Sequence, residues 1–110
     1  MNNEIKVIKV IDVIGSPYFM DKNDGEKLYK IINKERKDNH NNKIFINFEG
    51  IEILSITPLN NSIGKFVEKY GIEKTTKWMK IKELNSNDKI DLLELSLKIA
   101  QSKHVKKAIK

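Results

Sequence analysis

Apolar residues in this chain fall into short β-branched runs that alternate with stretches of helical period. Ile5 to Ile14 is dense in Ile and Val, which predicts one long strand or two short ones in a tight meander, ended by Gly15-Ser16-Pro17. Tyr18-Phe19-Met20 opens a polar loop, and these three are expected to close over the core rather than form a contact surface. Asp24 is placed to cap a helix running to about Asp38, with Leu28, Ile31 and Ile32 as a narrow apolar stripe. After the turn cluster Asp38–Asn42 comes the clearest strand, Lys43 to Phe48. It is apolar on both faces apart from Asn47, the pattern of a strand covered on both sides. Gly50 breaks the run, and Ile51–Leu54 follows as a short apolar segment.

The next helix has the best-marked ends. Thr57 suits the N-cap and Pro58 the first helical position. Leu59, Ile63, Phe66, Val67 and Tyr70 share one face, and Gly71 marks the end, so a single helix is predicted over 58–70. Gly64 inside it points to a close approach to a strand or a partner. A short strand near Trp78–Lys82 and a last helix over about 88–104 complete the order β(β)αβαβα. That order predicts one α/β domain over residues 1–110, with a mixed four- to five-stranded sheet and about three helices.

Composition narrows the function classes. The chain has 110 residues and no cysteine, which excludes disulfides and thiolate metal sites. The N-terminal apolar run is interrupted by Lys9 and Asp12, so neither a signal peptide nor a membrane span is expected, and a cytoplasmic bacterial protein is. The formal charge is +6, but Arg36 is the sole arginine. Abundant Ile, Asn and Lys match the codon bias of an AT-rich genome, and base-specific contacts favour arginine's fork, so nucleic-acid binding through the lysine-rich C-terminal third is the weakest of three readings. The tail from about residue 103 is expected to be a solvated basic end.

Catalytic signatures are absent. No phosphate-cradling glycine loop and no GxSxG occurs. His40 and His104 are expected to be exposed, Asp12 to face outward, and Glu49 and Glu52 to be solvated loop carboxylates. An enzyme is not expected, nor a cofactor or metal. What remains is the hydroxyl of Thr57 at a helix start beyond a strand end. It is either a plain cap, the commoner situation, or a phosphorylation switch, where a phosphate would add roughly −1.5 to −2 charge.

The run from Ile44 to Thr57, IFINFEGIEILSIT, followed by an amphipathic helix, resembles the STAS-like domains, relatives of the sulphate transporter and anti-sigma factor antagonist fold. The flanking elements at 5–38 and 77–102 also fit. In the anti-sigma antagonists a serine at the start of this helix is phosphorylated by a kinase-like ATPase partner. The resemblance puts that position at Thr57, the family's preceding aspartate at Ser55 and its following glycine at Pro58. Asn47 stands where aspartate is usual. The resemblance implies a non-enzymatic regulatory module that binds a histidine-kinase-like ATPase or another regulator. Docking is expected through Glu49, Glu52 and the exposed side of helix 58–70 (Asn60, Asn61, Gly64, Lys65), with Thr57 as switch and Ser55 as the second hydroxyl. The alternative is an interaction or immunity-type partner without a phosphoswitch, or a homo-oligomer.

Overall fold

The computed structural model describes residues 4–109. Strand β1 (Ile5–Lys9) stops halfway through the β-branched run, and the chain then coils into a single helical turn, α1 (Val10–Ile14). The expected strand over residues 10–14 is therefore corrected. Val10, Val13 and Ile14 also stand at helical spacing, and Gly15, at φ 70°, closes the turn by donating its amide to the Ile11 carbonyl at 2.8 Å. Packing overrode β-propensity here: Val10 is fully buried in the core.

The segment expected to be a loop holds β2 (Tyr18–Phe19). Helix α2 (Lys22–Asp38) starts earlier than predicted because Asp21, not Asp24, is its cap. The Asp21 carboxylate accepts the Asp24 amide at 2.9 Å, and Asp24 reaches back to accept the Met20 amide at 3.3 Å, a reciprocal capping pair. Strand β3 (Lys43–Asn47) lies where expected, and β4 (Ile53–Leu54) follows the Gly50 turn.

The helix predicted over 58–70 is two helices, α3 (Ile56–Asn60) and α4 (Ile63–Tyr70). Ser62 makes the break. Its hydroxyl donates to the Pro58 carbonyl at 2.6 Å, the acceptor that its own amide would use in a continuing helix, while that amide turns to Leu59 instead. Gly71 ends α4 as anticipated, at φ 89°, and leads directly into an unpredicted helix, α5 (Ile72–Trp78). Strand β5 (Met79–Lys82) matches its prediction apart from Trp78, and α6 (Asn87–Ile109) runs beyond the expected end. The basic tail is thus helical and tied down. His104 is half-buried, with Nδ1 donating to the Glu68 carbonyl at 3.0 Å, and Lys107 pairs with the Glu68 carboxylate at 2.5 Å.

The strands form two parallel sheets instead of one mixed sheet: β1-β3-β5, and the small pair β2-β4. In the larger sheet Ile8, Ile44, Ile46 and Met79 face the core, where Leu28 and Ile32 of α2 and Leu59, Ile63 and Phe66 of α3 and α4 meet them. Phe66 stacks on Tyr29 (4.8 Å between centroids) and meets the Trp78 ring edge-on (5.5 Å). The other face is only partly covered. Phe45 is half-buried beneath the Lys82 ammonium, 4.7 Å from its ring centre, and Val7 is exposed. Strand β3 is therefore buried on one face, not two. Among the described residues no helix is long and apolar enough to cross a membrane.

Candidate interaction site

The expected site lies where β4 passes into α3. Strand β4 is anchored beside β2, with Tyr18 opposite Ile53 and Phe19 opposite Leu54. The alternation of a strand puts Phe19 and Leu54 inward, both buried, and leaves Tyr18 and Ile53 side by side on the surface, 49% and 51% exposed. The Ser55 amide donates to the Phe19 carbonyl (3.0 Å), and its hydroxyl donates to the Met20 carbonyl (2.6 Å). Ser55 is the N-cap residue of α3 by backbone geometry, although its side chain makes no capping bond.

That placement corrects the expectation for Thr57, which lies one residue inside the helix and not at its cap. Its side chain is exposed. Its neighbours Pro58 and Leu59 are fully buried, because α3 lies hard against α2 at Gly25. A Cβ built on Gly25 would stand 2.6 Å from the Pro58 carbonyl oxygen, so glycine is what lets the two backbones approach.

The remaining predicted residues divide. Glu49 and Glu52 are exposed; Glu49 lies 3.9 Å from Lys9, and the Glu52 amide donates to the Pro17 carbonyl (2.8 Å). Asn60, Asn61, Gly64 and Lys65 do not form the open helix side expected of them. Helix α6 crosses this region, and the Ser96 hydroxyl donates to Asn60 Oδ1 at 2.5 Å. Asn61 Nδ2 donates to the Thr57 carbonyl (2.8 Å), and the Lys65 ammonium sits 4.9 Å above the Tyr29 ring. Gly64 is buried, and a Cβ there would lie 3.5 Å from Ser96 Oγ. The close approach read from Gly64 is thus to a helix of the same chain.

The expectation that Tyr18-Phe19-Met20 close over the core is corrected: only Phe19 is buried, and Tyr18 and Met20, with Ile53, are exposed apolar residues at this end. The signal was present in Tyr18-Phe19-Met20, whose strand alternation sends only the middle residue inward. Among the described residues no group of three or more His, Asp or Glu side chains is placed to hold a metal ion.

No curated protein and no solved structure matches this chain significantly. One family model does, over residues 24–89, from the first turn of α2 to the start of α6, and it takes in β3, β4 and the Ser55–Thr57 junction. Since the match spans more than half of the chain, the protein belongs to the family described as the STAS-like domain of unknown function (DUF4325).

Proposed function

We propose that the chain is a non-enzymatic regulatory module that docks a protein partner through the β4–α3 junction, with Thr57 as a phosphorylation switch. Membership of the STAS-like family supports a regulatory interaction role. The observation that carries the finer reading is the setting of Thr57. It is an exposed hydroxyl on a helix whose adjoining Pro58 and Leu59 are locked inside, two residues beyond Ser55 and four beyond Ile53, which lies exposed beside Tyr18. A phosphate there adds roughly −1.5 to −2 charge to the docking surface without entering the core. A surface with an apolar centre and a charged rim loses affinity when uncompensated charge is placed at its edge. Glu49 and Glu52 supply the rim, and the partner expected is a histidine-kinase-like ATPase.

Purification of the chain with its bound partner from the cells that express it, followed by intact-mass analysis, tests this. One added phosphate mapped to Thr57, absent from Thr57→Val, is the expected result. Thr57→Glu is expected to weaken the recovered partner's binding by about tenfold or more, roughly 1.4 kcal/mol. Unchanged affinity in Thr57→Glu would overturn the switch.

A further inference from the structure

The free edge of β1 carries a second, independent feature. Among the described residues β1 pairs with β3 alone. The Glu4 carbonyl accepts the Lys43 amide at 3.0 Å, and Lys6 and Ile8 stand opposite Ile44 and Ile46. In a parallel ladder the amides alternate in direction, so the N–H and C=O groups of Lys6 and Ile8 turn toward β3. The N–H groups of Ile5, Val7 and Lys9 turn outward. Along this edge, between β1 and the flank of α2, runs an open groove of about 610 Å³. Its apolar floor includes Val7 and Ile31, 48% and 44% exposed. Its rim carries Lys6, Lys9, Lys27 and Lys30; Asp12 is the one carboxylate lining it, and Glu49 lies 3.9 Å from Lys9.

We propose that this groove receives an acidic extended segment of a partner protein, which adds to the sheet as a strand beside β1. Outward backbone donors supply ladder hydrogen bonds that any extended chain can use. Apolar side chains of the added strand would rest against Val7 on the sheet's outer face or against Ile31 on the α2 side, and the lysines select carboxylates at neighbouring positions. A second copy of this chain fits poorly, because pairing β1 with β1 sets the lysines of one copy against those of the other. The lysines also discourage indiscriminate edge pairing, and that same device is what makes the edge selective for an acidic strand. Lys6, Val7, Lys9 and Asp12 precede the residues matched by the family model, so the groove's β1 wall belongs to the unmatched part of this chain.

Nuclear magnetic resonance on the isotopically labelled full chain, titrated with a short peptide of alternating valine and glutamate, tests the proposal. Binding is expected to slow amide exchange at Ile5, Val7 and Lys9 by at least about tenfold. The double substitution Lys27→Glu and Lys30→Glu is expected to weaken binding about tenfold or more while β1–β3 protection persists, and a valine–lysine peptide is expected not to bind. Thr57→Glu is expected to leave this binding unchanged, which separates the groove from the β4–α3 junction. Three outcomes would each overturn the assignment. One is no binding at millimolar peptide. Another is protection along β5 or residues 49–57 instead of β1. The last is protection of the same amides in the peptide-free chain that grows with protein concentration, the mark of a second copy.

Discussion

A hydrogen atom at Gly25 sets the distance between α2 and α3. Any Cβ there meets the Pro58 carbonyl oxygen at 2.6 Å and its Cα at 2.8 Å, and these are backbone atoms that no rotamer change can move. Gly25→Ala gains about 1 kcal/mol of helix propensity but forces the helices apart at a cost of about 1–3 kcal/mol. The expected net result is destabilisation, read as a lower urea midpoint with an unchanged slope. A more stable Gly25→Ala protein would show that α3 is not seated against α2 as described. The displacement would also shift Thr57, so the same substitution is expected to disturb the junction where docking is proposed. In the sequence, the glycine sits three residues into a helix without an evident reason. Its partner lies 33 residues away, beyond the reach of any local pattern.

At the scale of elements, the end of α6 is fastened to α4 by one residue, Glu68. Its backbone carbonyl accepts from His104 and its carboxylate from Lys107, while the His104 ring lies over Gly71. The hydrogen bond from Lys107, with the charges of Lys107 and Lys103, holds the Glu68 carboxyl below its usual value, and partial burial opposes them. A depressed carboxylate contributes stability that is present above its unfolded pKa, roughly 4.3, and is lost as pH falls through the folded value. Because the Lys107 ammonium is largely exposed, the contribution is about 1 kcal/mol or less. Glu68→Gln is therefore expected to lower stability slightly at pH 7, with the difference from the unsubstituted chain closing below about pH 4. Thermal melts at both pH values, at low salt, check the sign. A difference that widens in acid would contradict the pairing. The expectation of a solvated tail missed this because cations at a helix end satisfy the helix alone, and only the return of α6 along α4 gives Lys107 a carboxylate.

For the molecule as a whole, the order β1-β3-β5 makes a pattern of amide exchange that no other order of these strands produces. Strand β3 is paired on both sides, so consecutive amides from Lys43 to Phe48 are all bonded, alternately toward β1 and β5. Hydrogen exchange is expected to be slowest there. In β1 only alternate amides, those of Lys6 and Ile8, are expected to be protected, with Ile5, Val7 and Lys9 exchanging at least about tenfold faster. Uniform protection along β1 in the isolated chain would show that another strand covers it. The same order explains why β3 was legible as the centre of the sheet while its partial exposure was not. Residues that are apolar on both faces mark a central strand, but the cover over Phe45 is one lysine from β5 instead of a helix.

The amino-acid order alone determined the parts that rest on near neighbours. The strands at 43–47 and 79–82, the body of α2 and α6, the glycine stop at Gly71 and the family resemblance through Ile44–Thr57 all depend on side-chain period and chain-end chemistry within a few residues. Contacts between distant segments decided the rest. Burial of Val10 turned half of a β-branched run into a helix; the break of the helix expected over 58–70, by contrast, is local, made by the Ser62 hydroxyl on the Pro58 carbonyl four residues back. The arrival of α6 withdrew Gly64 from the surface and gave Asn60 an internal partner, whereas Thr57, Tyr18 and Ile53 stayed outside. Periodicity reports which residues share a face. Which faces find a cover is settled only when segments far apart in the chain compete for the same buried space.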